Sequence, residues 1–255
     1  MKRLISIGLL CVMWSFCAQG AVVKIWGDLY DLNTLNNFYS SIPGTTSTIA
    51  SGTLDTVDLA GVKLLWAVQP ADDYTPAELA KMASFLSSGG RIAFMGEHGQ
   101  YMPDQNNRIN AALTALGATI QINNTMIDTG FHDATVAGGQ ILANPLTAGV
   151  NLYNYACFAT LLPTGTAQSL MLGTDLTNVM MAYQNVGPGS VFLITDQNVW
   201  DNVGLTASND NHQMFENLLL GDTGAPVSGV PEPTTFALLG CGLVSLVVMA
   251  RRRNS

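Results

Sequence analysis

Apolar positions along this chain alternate between two spacings, and the alternation predicts its architecture. Continuous apolar or β-branched runs at 22–26, 62–68 and 91–95 read as buried strands, with a weaker polar strand at 45–50. Between them the spacing turns helical. Leu32, Leu35 and Phe38 mark a helix over 31–41, and Leu79, Met82, Phe85 and Leu86 form one stripe of a second. Thr75, Pro76 and Glu78 provide a capping box with proline at the first helical position, and Gly89 with Gly90 closes the helix. Asp104 is expected to cap a third helix running to Leu116 and closed by Gly117, followed by a strand at 119–122.

The pattern fades over 123–166, which reads as glycine- and asparagine-rich loops with a short helix at 145–150. It recovers as strands at 169–173, 179–183 and 190–195, the last two joined by a turn at Gly187, Pro188 and Gly189. A helix over 208–220 follows, with Phe215, Leu218 and Leu219 on its apolar face. Strands alternating with helices predict an α/β fold, a single three-layer domain with a mainly parallel sheet over 21–221. No internal repeat interrupts it.

Both ends of the chain fall outside this pattern. Residues 1–20 place Lys2 and Arg3 before a short apolar core and end in small residues, with Ala18 and Gly20 at the cleavage positions. This is the layout of a secretory signal peptide. At the other end, residues 222–230 form a small-residue linker, and an apolar stretch at 234–250 runs directly into Arg251, Arg252 and Arg253. A stretch of this length falls within the range of about 17–25 residues that spans a bilayer. The arginines are expected to stay on the cytoplasmic side.

Just before that stretch stand Val230, Pro231, Glu232 and Pro233. This motif, the apolar helix and the arginine cluster, in that order over 231–255, resemble the PEP-CTERM sorting signal. The resemblance implies a Gram-negative host and an exosortase-type protease as partner. The chain would then pass signal peptidase, sit in the inner membrane during transit, and reach the cell surface or extracellular matrix.

Removing both ends sharpens the charge. Of the ten basic residues only Lys24, Lys63, Lys81, Arg91 and Arg108 lie in the body, against seventeen acids, which leaves it at −12. So acidic a body argues against nucleic acid and anionic membranes as partners; a soluble acidic surface protein, or one that meets divalent cations or neutral glycans such as extracellular polysaccharide, fits better. Cys157 is its single cysteine, so the body must hold together by packing rather than by an internal disulfide.

The stretch from Thr75 through the strand Arg91, Ile92, Ala93, Phe94, Met95 to Gly96, the segment Asn144, Pro145, Leu146, Thr147, and the region 187–196 before a final helix resemble a divergent class I glutamine amidotransferase-like, flavodoxin-like domain. That resemblance implies a reactive turn after Met95, where active members carry a nucleophilic cysteine. Here the turn reads Gly96, Glu97, His98, Gly99. Without the cysteine the family's thiol chemistry is not expected, and the reading leans away from an enzyme.

Ligands of open α/β sheets bind beyond the carboxyl ends of the strands. Asp28, Glu97, His98 and Asp196 all follow strands, so they are the candidates for acid–base work or for holding a hard cation. A second candidate group is Asp128, His132 and Asp133. Trp200 is the candidate for stacking on a sugar, and His212 reads as a partly buried structural residue. No zinc spacing and no phosphate-binding loop is present, and no cofactor is expected. The leading expectation is a non-catalytic binding or structural module displayed outside the cell. The alternative is an extracellular hydrolase of glycan or peptide using Glu97, His98 and a rim aspartate.

Overall fold

The computed structural model describes residues 20–27, 32–201, 204–205 and 208–226. The signal segment, Asp28 and the sorting tail with its 234–250 stretch lie outside these residues. Among the described residues no helix is long and apolar enough to cross a membrane.

The described residues form a mixed α/β fold with four helices and a large, mostly parallel sheet. Strands β1 (Ala21–Gly27), β2 (Thr45–Ile49), β3 (Leu64–Val68), β4 (Arg91–Met95) and β11 (Gly189–Ile194) make its parallel half in the order β2-β1-β3-β4-β11. From β11 the sheet continues antiparallel through β10 (Val179–Val186), β8 (Phe158–Pro163) and β5 (Ile120–Ile127), with β9 (Gln168–Leu172) also on β10. A separate hairpin pairs β6 (His132–Thr135) with β7 (Leu152–Tyr155).

The helices divide between the two faces. Helix α1 (Asn33–Ser41) and α4 (Asn211–Leu220) bring Leu35, Tyr39, Phe215 and Leu218 against Ile25 and Trp66. Helix α2 (Pro76–Ser87) and α3 (Pro103–Ala115) bring Met82, Phe85, Ile109 and Leu113 against Leu65, Ile92 and Leu193. Leu65 and Trp66 are neighbours on β3 yet serve opposite cores, as the two-residue period of a strand requires. All five residues of β3 are buried, which explains why its sequence is apolar without alternation.

Polar side chains tie the layers where they would otherwise be orphaned. Tyr39 donates its hydroxyl to the Phe215 carbonyl at 3.0 Å and accepts the Trp66 indole N–H at 3.1 Å. Arg91 donates to the carbonyls of Leu218 at 2.9 Å and Gly221 at 2.6 Å, locking β4 to the end of α4. The folded body runs past the expected boundary at Gly221. Thr223 is buried, accepts Asn185 Nδ2 on its carbonyl at 2.7 Å and meets Ser190 Oγ at 3.1 Å.

The expected capping box of α2 is present, and Glu78 does more than cap. Its Oε2 accepts the Thr75 amide at 2.9 Å while its Oε1 accepts the Leu54 amide at 2.9 Å, pinning the preceding connection. Asp104 is not the cap of α3. Met102 occupies that position without a side-chain bond, and Pro103 takes the first turn. The main correction concerns 123–166: β5 runs on to Ile127, and β6, β7 and β8 follow where loops were expected. The expected helix at 145–150 is only a single turn, Pro145–Thr147, capped by Asn144.

Candidate functional site

The parallel strands end on one edge, and the residues after β3, β4 and β11 meet there. Gln69 follows β3 with φ +39, a backbone conformation that a side chain adopts at a cost, and it is fully buried. After β4 the chain turns at Gly96, where a Cβ would lie 2.5 Å from Asn106 Oδ1. That crowding comes from a bracket built by α3. Asn106 Oδ1 accepts the Glu97 amide at 3.0 Å, while its Nδ2 donates to the Glu97 carbonyl at 2.5 Å and to Asn124 Oδ1 at 2.8 Å.

The bracket turns Glu97 inward, where it is 1 % exposed. Its Oε1 accepts the His98 amide at 2.8 Å and its Oε2 accepts the Gln197 amide at 3.2 Å. Asp196, after β11, has no exposure at all. Its Oδ2 accepts the Ala156 amide at 2.6 Å and its Oδ1 the Asn198 amide at 2.9 Å. Burial pushes the Glu97 carboxyl up to about 8, with the Asp196 charge adding to the effect. Burial likewise pushes Asp196 up to about 7, against the pull of its two amide donors.

Gln69 joins the cluster by donating Nε2 to Gln197 Oε1 at 2.7 Å, and its own Oε1 is buried without a partner. Cys157, in the connection between β7 and β8, belongs to the same neighbourhood. Burial pushes its thiol up to about 11, and the charges of Glu97 and Asp196 act in the same direction. A thiol so raised stays protonated at neutral pH and is a poor nucleophile.

The four rim candidates fare differently. Glu97 and Asp196 come together, and His98 sits beside them with Nε2 4.0 Å from Glu97 Oε1. Its ring packs on Tyr101 at 5.9 Å, and burial lowers its pKa. Asp28 lies outside the described residues. Glu97 is not the exposed turn residue that its glycine-flanked position suggests, because Asn106 holds the turn so that the side chain points into the fold. Among the described residues no three His, Cys, Asp or Glu side chains gather as metal ligands would.

Trp200 is not a sugar-stacking residue. It is fully buried, with its ring edge-on to Trp66 at 5.3 Å, because the turn after Asp196 folds back over the core instead of outward. The second candidate group closes a hairpin. Asp128 accepts the Tyr155 hydroxyl at 2.7 Å and the Thr174 amide at 2.7 Å. Burial would raise its carboxyl, but these donors and the nearby His132 hold it below the ordinary range. His132 lies over Tyr155 at 5.7 Å, and Asp133 accepts Asn154 Nδ2 at 2.9 Å. His212 is partly buried and stacks on Phe38 at 6.3 Å, the structural role expected of it.

Open space lies on the α2/α3 side of the fold. A cleft of about 430 Å³ there is lined by Asp73, Tyr74, Asp104, Asn107 and Arg108, with Leu79, Ala111 and Ala112 as its apolar part. Arg108 is fixed in place, donating Nη1 to the Pro70 carbonyl at 3.1 Å and pairing with Asp73 at 3.4 Å. Tyr74 is held between Trp26 at 5.8 Å and Phe94 at 6.3 Å. The alternation of helices and strands announced the two helices but gave no sign of a cleft between them.

No family model and no curated protein matches the chain by sequence. Solved structures do resemble its fold. The N-terminal domain of mmIFT52 is 20 % identical with a TM-score of 0.61, over 78 % of this chain and 98 % of that one. A cytoplasmic protein from Salmonella typhimurium LT2 is 9 % identical at a TM-score of 0.57, over 78 % and 98 %. A cold-adapted β-galactosidase from Rahnella sp. R3 is 14 % identical at 0.53, and there the match spans 78 % of this chain but 30 % of the enzyme. At such identities these likenesses concern the fold alone.

Proposed function

We propose that the chain is an exported, surface-displayed module. Its body is a three-layer, amidotransferase-like scaffold that binds rather than catalyses. An N-terminal signal peptide starts export, the 234–250 helix anchors the chain in the inner membrane, and an exosortase-type protease reads Pro231, Glu232 and Pro233 to pass it to the surface or matrix.

The observation that carries the non-catalytic reading is how the rim carboxylates are used. Each oxygen of Glu97 and of Asp196 accepts a backbone amide, so the two groups clasp the connections at 98, 156 and 197–198. A general acid or base needs an oxygen free to reach the substrate. Glu97 and Asp196 are instead sealed into the fold, and the Cys157 thiol beside them is raised.

Fractionation of a Gram-negative host with an exosortase tests the sorting. Deleting 231–255 is expected to release a folded body to the periplasm. Replacing Pro231, Glu232 and Pro233 with alanine is expected to hold the chain in the inner membrane. Surface delivery of that triple variant at the parent's level would overturn the sorting reading. Hydrolysis of glycan or peptide substrates that Glu97→Gln abolishes would overturn the non-catalytic one.

A further inference from the structure

We infer that the cleft between α2 and α3 is a binding site for a neutral sugar unit of an extracellular glycan. The inference deepens the binding-module reading and rests on it.

The cleft's volume of about 430 Å³ falls in the range of about 300–1,000 Å³ typical of small-molecule sites. It opens between the connection after β3 with the first turn of α2 on one side and the first three turns of α3 on the other. The polar groups face one another across it. Asp73 and Asp104 offer acceptors, Arg108 offers donors, and Asn107 offers both. A sugar ring carries neighbouring hydroxyls that donate and accept at once, and such a mixed wall satisfies both functions.

Charge excludes the main competitors. Arg108 is already paired with Asp73, so Asp104 leaves the cleft with a net negative charge that repels phosphate or carboxylate ligands. A purely apolar ligand would strand these polar groups without partners. The apolar side chains of Leu79, Ala111 and Ala112 give the C–H face of a sugar a surface to cover, and Tyr74 supplies an aromatic wall. The wall is also preorganised. Tyr74 is wedged between Trp26 and Phe94, and Arg108 is anchored on the Pro70 carbonyl, so little ordering is left to be done on binding.

The test uses the full chain in a polyoxyethylene detergent that carries no sugar headgroup. Cello-, manno-, galacto- and chito-trioses are titrated while Trp fluorescence is followed, since Trp26 packs on the cleft's Tyr74. At least one trisaccharide is expected to saturate the signal below about 10 mM. Arg108→Ala is expected to weaken that binding roughly tenfold or more. Because losing the Pro70 contact can loosen the fold, Ala111→Phe serves as the second variant: it fills the exposed side of the cleft and removes no hydrogen bond. It too is expected to weaken binding roughly tenfold, with an unchanged melting temperature.

Absence of saturation by all four trisaccharides, or undiminished binding by a folded Ala111→Phe, overturns the site. Either result leaves the sorting outcome of the 231–255 deletion untouched, so the two readings fail separately. Cleavage of a trisaccharide that Ala111→Phe abolishes supports the cleft and overturns the non-catalytic reading instead.

Discussion

Glu97 should make the fold weaker as the solution becomes more alkaline, against the usual behaviour of a carboxylate in an ion pair. In the unfolded chain its carboxyl loses its proton near the ordinary value of 4.5, whereas in the fold burial holds the proton to about 8. Between these values folding takes up a proton, so raising the pH favours the unfolded state. One such proton corresponds to about 1.4 kcal/mol per pH unit. Asp196, raised to about 7, acts in the same sense at lower pH. His98 acts oppositely: its depressed pKa lends stability that is lost as pH falls below its ordinary 6.5. From pH 6.5 to 7.5 Asp196 is also losing its proton, so the Glu97 share is read as the difference in slope between the parent and Glu97→Gln. Urea unfolding of residues 20–226, followed by fluorescence of the buried tryptophans, gives the slope directly. Glu97→Gln should reduce the fall in stability by roughly 1 kcal/mol per pH unit across that window. At pH 6.5 the same variant should cost about 1–2 kcal/mol, because the amide turns one acceptor into a donor facing a backbone N–H. A parent whose stability is flat or rises from pH 6.5 to 7.5, or a variant with the parent's slope, would refute the buried-proton argument.

Tyr39→Phe should cost about 1–3 kcal/mol in the same assay, since it strands the buried Trp66 indole N–H. Pairing it with Trp66→Phe should recover part of the loss, and strict additivity would show that the bond contributes nothing. Gly96→Ala should destabilise by about 1–3 kcal/mol because its Cβ would press on Asn106 Oδ1. A neutral result would mean that the Asn106 bracket yields easily.

The α/β alternation was legible because each buried parallel strand is an unbroken apolar run and each helix carries its own stop. Gly89 and Gly117 close α2 and α3 at φ +88 and +79, and Thr75 with Glu78 opens α2, all readable from residue type. The stretch 123–166 was not legible, for reasons visible in its pairing. Strand β5 is the last in the large sheet, with Asn123 and Asn124 exposed, and β6 and β7 form a hairpin away from it. Edge and hairpin strands bury only part of one face, so the apolar signal that marks a strand is thin there.

The rim shows the same division between topology and packing. That Glu97 and Asp196 share an edge follows from β4 and β11 being parallel neighbours, which the order of elements suggests. Whether those carboxylates face water follows from side chains elsewhere: Asn106, thirteen-residue helix α3's contribution, and the amides of Ala156 and Gln197. No spacing within the turn encodes that bracket. A carboxylate after a parallel strand thus has two fates under one topology, and what separates them is whether a donor-rich connection closes over it. Here two connections do, one of them from the stretch whose strands escaped the sequence reading. The residues that hide the rim acids and the residues hardest to place in the sequence are therefore partly the same ones. The connection at 156–157 therefore decides what chemistry is open to Asp196, whose Oδ2 it occupies.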